Sequence, residues 1–147
     1  MVLTLALAMA FGHAVCGADK TTTMRIEGMK IGLKFEDKVL TATLIDSKTV
    51  PDFVSLLPLT LTMNDLFRRE KFGHYLPRAI SNEGKRTHMY EVGDICYWSP
   101  GPDVAIFYRH DGQEIPDPGI IVIGKIDSGA AAFGVPGSVI VTLQLID

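Results

Sequence analysis

Cysteine is scarce in this chain. Two residues, Cys16 and Cys96, stand among 147, which excludes a disulfide framework and leaves stability to a hydrophobic core. A basic block is also missing: 14 Lys and Arg against 17 Asp and Glu give a formal charge of −3, with no electrostatic footprint for nucleic acid or an anionic membrane surface. No apolar run approaches the roughly 20 residues that a bilayer helix needs. His74, His88 and His110 lack the HxH or HExxH spacing of a metal site, and G-x-S-x-G, Walker and dinucleotide fingerprints are absent. The sequence therefore predicts no metal and no cofactor. With 47% apolar and 21% charged residues, the composition is that of a folded globular domain and excludes a collagen-like repeat, a long coiled coil or a disordered tail.

Residues 1–18 (MVLTLALAMAFGHAVCGA) contain no Lys, Arg, Asp or Glu. Val2 to Phe11 has the length of a signal-peptide apolar region, and Cys16-Gly17-Ala18 ends in small residues, so cleavage before Asp19 is expected. Export to the periplasm or the cell exterior follows from that reading. Lipid anchoring at Cys16 is one alternative, and another kind of N-terminal segment, including a buried helix, is a second. Cleavage would leave Cys96 as the lone cysteine of a mature chain with no membrane span. Cys96 lies in the apolar run Ile95-Cys96-Tyr97-Trp98, which reads as a small buried hydrophobe. Residues 19–147 suffice for one compact domain and are too few for two.

Period-two alternation dominates those residues. Met24 to Phe35 reads as a strand with a bulge or as two short strands, paired with the β-branched Val39 to Ile45 through a turn at Glu36-Asp37-Lys38. Thr49-Val50-Pro51-Asp52 has the form of a helix start, with Thr49 as N-cap and Asp52 completing a capping box. Val50, Phe53, Val54 and Leu57 then make one apolar stripe on a two-turn helix that Pro58 ends. Such a helix is expected to plug one end of a β structure. Leu59, Leu61 and Met63 alternate with threonines; from Asn64 to Glu91 the pattern fails, and a long functional loop is expected. A second hairpin, Val92–Trp98 with Val104–Tyr108, closes around Ser99-Pro100-Gly101-Pro102-Asp103. Ile120–Ile126 and Val139–Ile146 bring the total to seven or eight strands, for which a closed or nearly closed antiparallel barrel is the natural solution.

Four stretches, TVPDFVSLLPLTLTMND (49–65), EKFGHYLPR (70–78), VGDICYWSPGPDVAIFY (92–108) and IGKIDSG (123–129), together resemble the small cyclophilin-like proteins of bacteria and archaea, most of them of unassigned function. The resemblance runs from about Ile26 to the C-terminus. It implies a cyclophilin-type barrel with an outer groove where true cyclophilins bind X-Pro peptides. The phenylalanine-histidine-arginine run that carries the catalytic arginine of true cyclophilins is absent. Pro100-Gly101-Pro102-Asp103 stands where those enzymes have Ala-Gly-Pro-Asn, and Ile106-Phe107-Tyr108 where they have Gln-Phe-Phe, which would place Phe107 at the floor of the proline pocket.

Prolyl isomerisation needs an apolar slot, a donor for the twisted amide and exclusion of water. Arg78 is the candidate donor; Met63, Tyr97 and Phe107 are candidate walls, with Tyr75 and Trp98 as further ligand-binding aromatics. Three functions stay open. The first is a binding domain that holds a peptide or small ligand in the outer groove without cyclophilin catalysis; the second is a weak peptidyl-prolyl isomerase. The third is a small enzyme of unrecognised chemistry using Arg78 and Glu70.

Overall fold

A computed structural model describes residues 26, 28–45 and 47–147. The leader, Cys16 and Met24 lie outside the described residues. Nine strands form one antiparallel sheet: β1 (Lys30–Phe35), β2 (Lys38–Leu44), β3 (Leu59–Leu66), β4 (Glu70–Gly73), β5 (Arg86–Thr87), β6 (Asp94–Trp98), β7 (Asp103–Phe107), β8 (Ile120–Ile126) and β9 (Val139–Ile146). Their order is β2-β1-β9-β3-β4-β7-β6-β8-β5, and β2 also pairs with β8. That pairing, Ala42 with Ile126 to Leu44 with Gly124, closes eight strands into a barrel and leaves β5 as a two-residue flange on β8. Closure removes the sheet edges that would otherwise template aggregation. Among the described residues no helix is long and apolar enough to cross a membrane.

The interior is filled by the inward positions of each strand, among them Ile31, Leu33, Leu61, Met63, Val104 and Ile106. Both ends are plugged. The helix α1 (Val50–Val54) drives Val50 and Phe53 into the core at one end, as its stripe predicts. At the other, a 3-10 turn at Ala130–Phe133 places Phe133 on Phe35, with ring centroids 4.1 Å apart.

The helix is shorter than expected, and its capping box does not form. Thr49 has helical dihedrals (φ −81°, ψ −31°) and makes no side-chain cap. Instead its hydroxyl accepts from the Gly84 amide (3.2 Å), while Asp52 Oδ2 accepts from the Ser81 amide (2.8 Å). Both side chains tie the 81–84 segment onto the helix.

The segment 64–91 is not one long loop. β3 continues to Leu66, and β4 pairs with both β3 and β7. Its alternation is concealed because the inward positions are Lys71 and Gly73, and the outward ones Glu70 and Phe72. Lys71 is fully buried, and its Nζ donates to Asp65 Oδ1 (3.0 Å) and to the carbonyls of Val135 (2.6 Å) and Gly137 (2.7 Å). An ammonium with three acceptors occupies an inward strand position, which is ordinarily apolar.

Candidate functional site

The outer wall of the barrel carries a second apolar cluster. On β4, β6 and β7 the residues facing away from the core include Glu70, Phe72, Cys96, Trp98, Asp103, Ala105 and Phe107, and most of these are nevertheless buried. What covers them is the chain after β7 together with Tyr90. Ile115 is held there by a paired contact with His88, its amide donating to the His88 carbonyl (2.8 Å) and its carbonyl lying 2.7 Å from His88 Nδ1. The cover is incomplete. It leaves a pocket of about 240 Å³ walled by Phe72, Trp98, Ala105, Phe107, Ile115 and Ile120.

One end of this pocket is polar. Arg69, in the β3–β4 turn, donates from Nε to Glu70 Oε2 (2.9 Å) and from Nη1 to Asp111 Oδ2 (3.4 Å). Its guanidinium also lies 5.4 Å from the Tyr90 ring centroid and 5.9 Å from that of Phe107, within cation–π range. Tyr90 stacks on Phe107 at 4.1 Å and donates its hydroxyl to Asp111 Oδ1 (2.6 Å). Burial pushes the Glu70 carboxyl above its ordinary range, against the pull of Arg69. The Tyr90 hydrogen bond holds Asp111 below its range. At the opposite end Asp103 Oδ1 sits 2.9 Å from His74 Nδ1, and Tyr75 lies against the His74 ring, exposed to solvent. A side-chain carbon at Gly101 would force the Asp103 carboxylate to shift.

The candidate residues divide between three places. Phe107, Trp98 and Glu70 line the pocket, and Tyr75 stands just beyond its Asp103 end. Met63 and Tyr97 belong to the inner face and are fully buried in the barrel core, on the other side of the wall from the pocket. Arg78 is at α1, its Nη2 donating to Ser55 Oγ (2.5 Å), its Nη1 to the Ala79 carbonyl (3.3 Å) and lying 3.9 Å from Asp52. It pairs with neither Glu70 nor Glu83, and the structure does not bring it together with Glu70 or Phe107. Phe72, Arg69, Tyr90 and Asp111 escape the sequence reading. The indirect signal for them is the apolar run Val104–Phe107 within β7, since a stretch apolar at successive positions is covered on both faces.

Cys96 is buried on the outer face, and burial raises its thiol well above the ordinary value, which keeps it in the unreactive protonated form. His74, His88 and His110 have separate partners: His74 with Asp103, His88 with Ile115, and His110 stacked on Tyr90. Among the described residues no cluster of His, Cys, Asp and Glu could hold a metal ion.

The model of the Cyclophilin-like family matches residues 33–144. The chain belongs to this family. Among solved structures, the cyclophilin-like barrel is similar to the solution structure of a hypothetical protein of Archaeoglobus fulgidus, with a TM-score of 0.68 and 23% identity over 84% of this chain and 99% of the other. At that identity the likeness shows the fold alone. No curated protein matches the sequence. Within this cyclophilin-like barrel the pocket lies on the outer wall, on the strands that contain the 92–108 motif.

Proposed function

We propose that this cyclophilin-like chain is a binding domain that holds an apolar group of a peptide or small ligand in its outer pocket, without the catalysis of true cyclophilins. The observation that supports it is the pocket itself: six apolar side chains from β4, β6, β7, β8 and the 108–119 segment converge on a space of about 240 Å³ that the chain leaves unfilled. Convergent apolar walls with a few placed polar groups are the usual form of a ligand site. Phe67, at the rim, is 67% exposed, a further apolar surface for a bound chain. Isomerase chemistry is less well supported. Arg78 is at the helix, away from the pocket, and Arg69, which is at the pocket, is tied by Nε and Nη1 to Glu70 and Asp111.

Ala105 forms the pocket floor and is 4% exposed, so Ala105→Leu fills the space without removing a core side chain. Heteronuclear NMR titration with capped dipeptides of Leu, Phe and Pro and with benzyl alcohol should give shifts confined to the pocket walls in the wild type and none in the variant. Absence of shifts for every probe, or equal shifts in Ala105→Leu, overturns the reading.

A further inference from the structure

Glu70 is only 7% exposed, and Arg69 takes just one of its oxygens, Oε2. Oε1 has no hydrogen-bond partner among the described residues, yet it is not sealed in: the fully buried side-chain atom without a partner among those residues is Arg86 Nη1. Because Glu70 lines the pocket, a carboxylate with one unpartnered oxygen stands at the end of an apolar slot. The local charge is unbalanced as well. Among the described residues Arg69 is the cation paired with both Glu70 and Asp111, one positive charge for two carboxylates, and its guanidinium is wrapped by the rings of Phe67, Tyr90 and Phe107 at 5.1, 5.4 and 5.9 Å from their centroids. An excess negative charge thus stands beside walls of low polarity, where an opposite charge is felt more strongly than in water.

We infer that the ligand is an apolar primary ammonium, its ring or alkyl body in the pocket and its nitrogen donating to Glu70 Oε1. The inference rests on the groove reading and deepens it. A carboxylate ligand would meet Glu70 and Asp111 with only the partly engaged Arg69 in its favour, whereas an ammonium restores neutrality and supplies the missing donor. Burial already raises the Glu70 carboxyl, and a cation at Oε1 relieves that cost of ionisation. A free small amine and the amino terminus of a peptide that begins with an apolar residue present the same chemistry.

Calorimetric titration near neutral pH with benzylammonium, benzyl alcohol and benzoate separates the possibilities. In the wild type benzylammonium should bind at least about tenfold more tightly than benzoate. Glu70→Gln should bring that ratio close to one while benzyl alcohol still binds. Equal binding of benzoate, or a preference that survives in Glu70→Gln, overturns the inference. If benzyl alcohol binds the wild type and not Ala105→Leu while no cation preference exists, the groove reading stands and this inference falls; if no probe binds, both fall. Phe-Gly-Gly amide, with and without an N-acetyl group, identifies the source. Binding lost on acetylation assigns peptide termini, and binding of benzylammonium alone assigns free amines.

Discussion

Glu70 on β4 and Phe107 on β7 face each other directly across the ladder, so a nearly buried carboxylate lies against the ring that walls the pocket. Burial lifts the native value of Glu70 above its ordinary 4.5. Folding therefore favours the protonated form; the stabilisation is complete below 4.5 and is lost as pH rises through the raised native value. Relative to Glu70→Gln, the wild type should gain stability on acidification from neutrality. Asp65, Asp111 and Asp127 have lowered values and the opposite slope, but they are present in both proteins and largely drop out of the difference. Urea denaturation of the two proteins across this range is the measurement, and a flat or reversed difference would contradict the burial argument.

Arg78 offers a second test. It is half exposed and bound to α1 through Ser55, and an exposed contact of this kind contributes at most about 1 kcal/mol. Arg78→Ala should leave ligand titrations in the pocket unchanged and lower stability by no more than that amount. In a protease-coupled assay on X-Pro peptides, wild type and variant should both run at the uncatalysed rate. Acceleration by the wild type that disappears in Arg78→Ala would restore the isomerase reading.

The barrel was legible where inward positions are apolar. Ile95 and Tyr97, Val104 and Ile106, and Val139, Val141 and Leu143 alternate as core strands should, and the repeat of short strands with turn signals points to closure. β4 is illegible because Lys71 takes an inward position and Glu70 an outward one: the lysine is satisfied by Val135 and Gly137, far along the chain, and the glutamate by Arg69, whose other partner is the distant Asp111. For the site, period two separates Tyr97 from Trp98, but in a run apolar on both faces it does not say which face is the barrel interior. The sequence consequently groups Tyr97 with Phe107, which lies on the other side of the wall. Arg69 and Asp111 are 42 residues apart, and only the folded turn makes them neighbours.

Lys71 and Tyr108 meet on one oxygen, and that meeting is open to spectroscopy. Tyr108 Oη donates to Asp65 Oδ1 at 2.5 Å, beside the Lys71 ammonium at 3.0 Å. Burial, and after it the Asp65 hydrogen bond and charge, push the Tyr108 phenol up to about 12 from 10.0. A raised phenol value stabilises the fold fully below 10.0 and ceases to do so as pH passes about 12. Ultraviolet titration should therefore show late-ionising tyrosines in the wild type, Tyr90 being raised as well, with one fewer in Tyr108→Phe and with the Tyr108 share shifted towards 10.0 in Asp65→Asn. Lys71→Met should in addition cost about 3 kcal/mol in urea, since it withdraws the donor from the carbonyls of Val135 and Gly137 and leaves Asp65 with one partner fewer. Coupling between the two sites is expected as well: in the Asp65→Asn background Lys71→Met should cost less, because the carboxylate it would strand is already gone. Equal costs in both backgrounds would mean that the lysine acts through the 135–137 carbonyls alone.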